Sequence, residues 1–316
     1  MSDTALLQRI RELARQRKAL ILAHSYQEGD IQDVADFVGD SLGLSIAARD
    51  SDAELIVFCG VYFMAETAKI LKPHATVLIP DPNAGCSLCD SITLQELLEW
   101  KAEHPGAVTV GYVNTTAEIK AELDYCCTSS NAVNVIKAIE PHREILFLPD
   151  MFLGSYVQRM TGRTNMHIWA GECHVHAAIN MRKIEAARMA HPRADLLVHP
   201  ECGCSTTCMY HQAQGDLKGT TVITSTEGMV RYAVAHPEKK KFIVATENGI
   251  LHRLNKMAPG RDFVTVSEEA ICKYMKMITP EKLLYSLEHD THKVEIEPET
   301  MNRARTAIER MVAITA

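Results

Sequence analysis

Short apolar runs rich in β-branched residues alternate with helical patterns along the whole chain, and this alternation limits the possible folds more than any other feature. Runs expected to form strands lie at 19–23, 55–58, 76–79, 108–111, 145–148, 165–169, 196–198, 221–223, 242–244 and 263–266. Strands that alternate with helices are typical of parallel α/β units. The sequence therefore predicts an α/β fold with short parallel sheets.

The layout of strands and polar residues repeats three times. A polar cluster follows the first strand of each unit, namely His24-Ser25-Tyr26, Tyr112-Val113-Asn114 and His199-Pro200-Glu201. A strand followed by a cysteine closes each unit, and these cysteines are Cys86, Cys173 and Cys272. Ligands bind at the carboxyl ends of strands in parallel α/β sheets. We therefore expect three similar units whose strand ends build one pocket, with three thiolates around its floor.

Three thiolates without a fourth leave one coordination position open. Structural zinc sites and electron-transfer clusters use four protein ligands, whereas catalytic metal sites keep a position for substrate. The spacing of Cys86, Cys173 and Cys272, about 90 residues each time, therefore favours a catalytic metal or iron–sulfur centre.

The length of 316 residues favours two or three domains over a single core. We expect a first unit at 1–85, completed by C-terminal helices within 280–316, a second unit at 86–172 and a third at 173–279. A hydrophobic content of 47% with 23% charged residues is that of a globular protein. The net charge of −7, without a basic cluster, argues against nucleic acid and acidic membrane surfaces as partners.

The first residues indicate an amphipathic helix rather than a signal peptide. No apolar segment approaches the ~18 residues that a membrane span needs. These features predict a cytoplasmic protein. Its ten cysteines are then expected to serve metal or redox chemistry, or to fill the core, rather than to form disulfides. The sequence does not distinguish a monomer from a homodimer.

The remaining cysteines allow several interpretations. Cys202, Cys204 and Cys208, with His211 nearby, have a spacing that could hold zinc, although a redox-active thiol patch is the stronger interpretation. Cys89 forms a C-x2-C pair with Cys86 that is weak evidence by itself. Core packing is the first interpretation of three others: Cys59, Cys126 and Cys127.

Several helix starts carry recognisable capping patterns. Thr93-x-x-Glu96 and Thr115-x-x-Glu118 predict capping boxes, and Thr279-Pro280 places proline at a first helical position. The last segment repeats apolar residues at three- and four-residue steps, which predicts an amphipathic helix docked on a core, and these residues are Met301, Ala304, Ile308 and Met311.

The chain resembles the quinolinate synthases of bacterial NAD biosynthesis over essentially its whole length. Nine short motifs occur in the order of that family: His24-Ser25-Tyr26-Gln27, Gly39-Asp40-Ser41, Ala84-Gly85-Cys86-Ser87-Leu88, Tyr112-Val113-Asn114, Cys127-Thr128-Ser129-Ser130-Asn131-Ala132, Cys173-x2-His176, His199-Pro200-Glu201, Ser225-Thr226-Glu227-Gly228-Met229 and Cys272-x2-Met275-Lys276. Cys202-Gly-Cys204 follows the His-Pro-Glu triplet where many relatives have no cysteines.

The resemblance implies three similar three-layer αβα domains in a pseudo-threefold arrangement around a central active site. It also implies one [4Fe–4S] cluster per chain, held by Cys86, Cys173 and Cys272 with one open iron. The implied activity is that of a transferase- or lyase-type enzyme, which condenses iminoaspartate with dihydroxyacetone phosphate to quinolinate and releases phosphate and two waters. L-Aspartate oxidase is the implied supplier of the imine.

These substrates carry carboxylates and a phosphate, so the pocket needs hydrogen-bond donors. Ser41, Ser129 and Thr226 precede helical patterns, where hydroxyl and free backbone N–H groups bind anions. His24 and His199 can donate hydrogen bonds and can carry charge if a bound anion raises their pKa. The expected substrate contacts are His24, Ser41, Tyr112, Val113, Asn114, Ser129, His176, His199, Pro200, Glu201 and Thr226.

Isomerising the triose and closing the ring require proton transfers, for which Glu201 and Tyr26 are the candidate acid/base groups, with His199 and His24 as further catalytic candidates. The expected role of the cluster is that of a Lewis acid. An alternative enzyme is another [4Fe–4S] dehydratase acting on a small hydroxy acid. An electron carrier or a zinc-stabilised binding module would need ligands in tight local motifs, which the long spacing of the three cysteines disfavours.

Overall fold

The computed structural model describes residues 3–214 and 219–314. The twelve strands are β1 (Ala19–His24), β2 (Phe37–Gly39), β3 (Leu55–Cys59), β4 (Thr76–Leu78), β5 (Val108–Tyr112), β6 (Tyr125–Cys127), β7 (Ile145–Leu148), β8 (Met166–Ile168), β9 (Asp195–Val198), β10 (Thr221–Ile223), β11 (Lys241–Ala245) and β12 (Asp262–Thr265).

Helices separate the strands throughout. They are α1 (Asp3–Arg17), α2 (Gly29–Val34), α3 (Ser41–Asp50), α4 (Tyr62–Leu71), α5 (Leu94–Glu103), α6 (Ala117–Lys120), α7 (Ala132–Lys137), α8 (Met151–Thr161), α9 (His174–Ala177), α10 (Met181–Ala190), α11 (Ser205–Gln214), α12 (Thr226–Ala235), α13 (Ile250–Met257), α14 (Pro280–His289) and α15 (Pro298–Ala313), with short 3₁₀ turns at Cys89–Ser91 and Met275–Met277. Within 3–214 and 219–314, no helix combines the length and the apolar character that a bilayer crossing requires.

The strands form three four-stranded sheets with one shared topology. Their orders are β2-β1-β3-β4, β6-β5-β7-β8 and β10-β9-β11-β12, and every pairing between these strands is parallel. The expectation of an α/β fold built from three similar units is confirmed. The first strand of each unit is an inner strand, whereas the strand before each of the three spaced cysteines is an edge strand.

Apolar composition explains why the inner strands form. Every residue of β3, β5, β7 and β9 is buried, as expected when helices cover both faces of a parallel sheet. Such strands appear in the sequence as continuous apolar runs, and all ten predicted strands are present. Two strands were missed, β2 and β6, which have three residues each and lie at sheet edges.

Local capping chemistry was predicted correctly at two of three helix starts. Thr93 and Glu96 form the expected capping box of α5, and Thr279 caps α14 ahead of Pro280. The capping box at Thr115 was wrong. Thr116 caps α6 instead, accepting a hydrogen bond from the N–H of Ile119, because the hydroxyl of Thr115 is directed back to the carbonyl of Tyr112.

The C-terminal helix α15 joins the first two units. Its buried face consists of Ala304, Ala307, Ile308, Met311 and Val312, which confirms the predicted amphipathic helix, and it packs against α4, α6 and β6. The Asn131 amide donates hydrogen bonds to the carbonyls of Met311 (2.8 Å) and Ile314 (2.6 Å). The end of the chain is thereby tied to the start of α7 in the second unit.

Truncating the buried face of α15 should destabilise the whole protein. Ile308 is fully buried, so Ile308→Ala should lower the free energy of unfolding by about 2–5 kcal/mol through lost burial and cavity formation. Denaturant-induced unfolding measures this difference. Glu309→Ala, an exposed neighbour on the same helix, is the control and should change stability by less than about 0.5 kcal/mol. Equal effects of the two changes would contradict the docking of α15.

Candidate active site

A cavity lies where the carboxyl ends of the three sheets meet. It is lined by residues that follow β1, β5 and β9, and by further residues from all three units. Most of the predicted substrate contacts line it: His24, Ser41, Tyr112, Asn114, Ser129, His176, His199, Glu201 and Thr226, together with Tyr26. Val113 and Pro200 are buried beside it and are not among its lining residues.

Three thiols face this cavity. Cys86, Cys173 and Cys272 all line it and are partly exposed, whereas the other seven cysteines of the chain are buried. Each thiol follows the edge strand of its unit. Burial and the proximity of Cys173 raise the pKa of Cys86 well above its ordinary value. Burial likewise raises the pKa of Cys272, and Cys173 adds to the effect. A positive charge bound beside Cys86 and Cys272 would favour their thiolate forms.

Three equivalent helix starts also meet at the cavity. Asp40 caps α3 and Ser225 caps α12, which leaves Ser41 and Thr226 as the first helical residues rather than as caps. Ser130, just before α7, lies 2.6 Å from Asp40 Oδ2 and 2.7 Å from Ser225 Oγ through its hydroxyl. Backbone N–H groups at helix starts attract anions. Their convergence gives one side of the cavity several N–H and hydroxyl groups, and the carboxylate of Asp40 lines the same side.

Two histidines occupy matching positions in different units and use the same local hydrogen bond. The N–H of Tyr26 donates to His24 Nδ1 (3.2 Å), and the N–H of Glu201 donates to His199 Nδ1 (3.4 Å). A neutral imidazole whose Nδ1 accepts a hydrogen bond carries its proton on Nε2. In His199 this nitrogen lies 3.1 Å from the hydroxyl of Ser129.

Both histidines are neutral in the unliganded site. Burial is the main cause that lowers the pKa of His24 to about 3, and the neighbouring His199 adds to it. Burial also lowers the pKa of His199 to about 3, against the opposing effect of Glu201. We therefore interpret these side chains as N–H donors rather than as permanent positive charges.

A buried chain of close polar contacts connects the two predicted acid/base residues. The hydroxyl of Tyr26 lies 2.6 Å from Thr246 Oγ1, which in turn lies 2.9 Å from His176 Nε2. His176 Nδ1 is 2.9 Å from Glu201 Oε2. Protons can pass along contacts of this length. Tyr26 and Glu201 therefore belong to one network although different units supply them.

The charges of this network are set by opposing effects. Burial would raise the pKa of Glu201, but His176 and His199 outweigh it and lower that pKa to about 2. Burial opposes the protonation of His176, whereas Cys173 and Glu201 favour it and raise its pKa well above the ordinary value. The site thus contains a buried imidazolium–carboxylate pair. Oxygen Oε1 of Glu201 is buried without a hydrogen-bond partner of good geometry within the described structure, and a hydrogen bond from the nearby Tyr112 hydroxyl helps to lower the pKa of Glu201.

Comparison with known proteins assigns the chain to one enzyme family. A family model described as Quinolinate synthetase A protein matches residues 8–313. The chain belongs to this family. Its relatives named quinolinate synthase include proteins of Mycobacterium sp. (strain KMS), 56% identical over 96% of this chain and 90% of the relative, and of Mycobacterium tuberculosis (strain ATCC 25618 / H37Rv), 55% identical over 96% and 87%. A third, from Mycobacterium leprae (strain Br4923), is 55% identical over 96% and 87%.

Some site residues of this family member were not predicted from the sequence. Thr246 and Glu247 follow β11, the third strand of the third unit, and Asp150 lies just after the equivalent strand β7. The site residues predicted from the sequence follow the first, second and last strands of the units, and none of them follows a third strand. All parallel strands end at the same edge, so residues after the third strands were also detectable candidates.

Glu247 positions the segment that carries the third cysteine. Its carboxylate accepts hydrogen bonds from the N–H groups of Cys272 (3.0 Å) and Gly249 (2.6 Å), and Lys276 Nζ lies 3.1 Å from Oε1. Asp150, in contrast to Glu247, does not hold the Cys272 segment. Burial and the charge of Glu201 raise the pKa of Asp150 well above the ordinary value. Asp150 is therefore protonated, which keeps a second negative charge away from Glu201.

The second cysteine patch lies behind the cavity. Cys202, Cys204 and Cys208 belong to a smaller core cluster of the third unit, and Cys202 Sγ lies 3.1 Å from the carbonyl of Ala245. Among the described residues, two sets of three possible metal donors lie within 4.8 Å of one another: His104, Glu144 and His167, and Cys173, His176 and Glu201. The patch belongs to neither set, which disfavours one ion held by all three of its thiols; Cys86 and Cys272 belong to neither set as well, so a single ion does not suit the three lining thiols either.

Proposed function

We propose that the chain is a quinolinate synthase that condenses iminoaspartate with dihydroxyacetone phosphate to quinolinate, with loss of phosphate and two waters. The observation that carries the proposal is the cavity of this family member, in which three half-buried thiols, three helix starts and one buried proton network meet. Each of the three requirements of the reaction, a metal centre, anion binding and proton transfer, has its own set of residues.

A [4Fe–4S] cluster held by Cys86, Cys173 and Cys272 fits the donor chemistry of the cavity. One thiol comes from each unit, and the pKa values of Cys86 and Cys272 are raised by burial and by Cys173. Binding to iron would stabilise the negatively charged thiolates and so offset the effect of burial on their pKa values. When bound, a cluster with three protein ligands supplies one iron with an open position, which acts as a Lewis acid.

Hydrogen-bond donors at helix starts and on two histidines would orient the anionic substrates. The starts of α3 and α12 and the serines before α7 present hydroxyl and N–H groups, and we assign the phosphate of the triose to them. His24 and His199 would donate N–H groups to the carboxylates of the imine. Both histidines are neutral in the free site. Neither side chain therefore has to lose a proton or release another anion before a substrate anion binds.

Proton transfer would run through the network of Tyr26, Thr246, His176 and Glu201. Glu201 is the base, since it is ionised and lines the cavity. Tyr26 keeps its proton, because burial raises its pKa above the ordinary value, and it can therefore donate a hydrogen bond. Thr246 would relay the proton between Tyr26 and His176.

Other functions fit the same observations less well. Another [4Fe–4S] dehydratase would share the thiols and the network, but the family membership favours the quinolinate reaction. Consumption of dihydroxyacetone phosphate with release of inorganic phosphate separates the two enzymes. A zinc-stabilised binding module would need four ligands in one place, whereas three lining thiols surrounded by acid/base groups are typical of catalysis.

Replacing the cavity-facing cysteines should remove the metal centre. Cys86→Ser, Cys173→Ser and Cys272→Ser should each abolish the brown chromophore and quinolinate formation in anaerobically purified protein. Iron and sulfide analysis with absorption spectroscopy measures the outcome. Cys204→Ser and Cys208→Ser are the matched controls and should retain iron. Loss of iron from the Cys204 variant together with its retention in the Cys173 variant would show that the ligands are wrongly assigned.

Glu201→Gln preserves the shape of the side chain and removes its basic group. Quinolinate formation should fall roughly 10²–10⁴-fold while the iron content stays unchanged, because Glu201 is not among the proposed ligands. Glu172→Gln, an exposed position beside Cys173, is the control and should be as active as the parent. Near-normal turnover with Gln at 201 would remove Glu201 from the mechanism.

The hydroxyl of Thr246 can be tested alone. Thr246→Val is nearly isosteric but breaks the contacts to Tyr26 and His176, so turnover should fall about 10–100-fold, in line with about 1.4–3 kcal/mol for a buried hydrogen-bond partner. Thr246→Ser keeps the hydroxyl and should restore most of the activity. A Val variant with near-normal turnover beside a slow Ser variant would show that packing of the methyl group, rather than proton relay, is the role of this residue.

A further inference from the structure

A second group of metal-binding side chains lies far from the cavity, on the second unit. His104 follows α5, Glu144 directly precedes β7, and His167 is the middle residue of the edge strand β8. These positions are near the amino ends of the strands, whereas the cavity is at their carboxyl ends. The proposed function uses none of the three residues.

The three side chains converge on one point. His104 Nδ1 lies 2.8 Å and His167 Nε2 lies 2.6 Å from the same oxygen, Oε1 of Glu144. The donor atoms of all three residues lie within 4.8 Å of one another, and the two imidazole rings are 4.2 Å apart between centroids. The side chains remain accessible to solvent, with exposed fractions of 23%, 40% and 44% for His104, Glu144 and His167.

The backbone holds this arrangement in place. The carbonyl of Glu144 accepts a hydrogen bond from the N–H of Val108 (2.8 Å), and the N–H of Ile145 donates to Asn165 (2.9 Å). Both contacts continue the ladders of the sheet. Glu144 is therefore fixed by neighbours on each side, and the convergence of the three side chains does not depend on a free loop.

We propose that His104, Glu144 and His167 form a binding site for a divalent transition-metal ion, with zinc as the favoured ion. Two imidazoles and one carboxylate, with water in the fourth position, are a recurrent ligand set for zinc. Ligand atoms about 2.0–2.1 Å from a tetrahedral ion are about 3.3–3.4 Å apart. The observed separations of 2.8 and 2.6 Å from Glu144 Oε1 are shorter, so the side chains must spread by less than about 1 Å.

The ion would replace the protons that the carboxylate now shares with two imidazoles. The carboxylate of Glu144 already faces a nitrogen of each imidazole at 2.8 and 2.6 Å, so an ion can enter between the three groups with small side-chain shifts. The competing explanation is a plain hydrogen-bonded surface cluster without metal affinity. A metal ion would join the end of α5, the start of β7 and the strand β8, which lie far apart in sequence.

The two tryptophans of the chain provide a local probe. The ring of Trp100 lies 6.3 Å from that of His104, and Trp169 lies 5.5 Å from Trp100. We expect Ni²⁺ to quench the tryptophan fluorescence of the full-length, anaerobically purified protein and to saturate at one ion per chain. Zinc should compete with Ni²⁺, and metal analysis after dialysis should find one zinc per chain in addition to any iron.

Variants decide between the metal site and the plain cluster. Glu144→Gln and His167→Gln, both at accessible positions, should weaken zinc binding more than about 100-fold, since even indirect partners of a ligand contribute 10–100-fold. His142→Gln, an exposed histidine two residues before Glu144, is the matched control and should bind zinc like the parent. Thermal unfolding without added metal verifies that the variants are folded.

Either of two results overturns the proposal. One is a parent protein that binds no zinc at stoichiometric concentrations. The other is zinc binding that both variants retain with unchanged affinity, which would locate the ion elsewhere, for example on thiols. The proposal does not rest on the quinolinate reaction, and it survives if the cavity proves to have another activity.

Discussion

The parallel pairing of every strand is the constraint on which the rest of the molecule depends. In a parallel sheet all strands end at the same edge, so each unit collects its loops on one side. With three sheets of the same order, these sides can face one another, and residues more than 200 positions apart come into contact. Tyr26 and Thr246 are 2.6 Å apart through their hydroxyls for this reason.

A cavity built between units can hold charge that a single core could not. Glu201 is buried, and a lone buried carboxylate would be protonated rather than ionised. The imidazole of His176, delivered by a short helix just after Cys173, compensates it at 2.9 Å. Asp150 is buried nearby, where desolvation and the charge of Glu201 outweigh the effect of His176 and raise its pKa well above the ordinary value. Two carboxyl groups in one interior thus have opposite protonation states, because His176 compensates the charge of Glu201 and that charge in turn disfavours a second one on Asp150.

Much of the fold was predictable because its signals are local and redundant. Ten strands appear as apolar runs, and the caps at Thr93 and Thr279 follow directly from residue type. The strands β2 (Phe-Val-Gly) and β6 (Tyr-Cys-Cys) escaped prediction because they contain a single β-branched residue, Val38, between them, and pairing with an inner neighbour decides their conformation. Glu66 lies on α4 of the first unit, yet its carboxylate accepts a hydrogen bond from the N–H of Ala117 (3.1 Å) in the second unit. Contacts between units have no local signature.

The cysteines show most clearly that position, not residue type, decides chemistry. The tightest cluster in the sequence is Cys202, Cys204 and Cys208, and these thiols are buried among apolar side chains of the third unit. Cys173 has no cysteine near it in sequence, yet it lines the cavity with partners from the two other units. A short separation of cysteines along the chain predicts a metal site only where one short segment supplies all the ligands, as in a zinc knuckle. In a protein whose site is assembled from three sheets, the relevant spacing is the length of one repeat, because each repeat returns the chain to the same edge and delivers one thiol there.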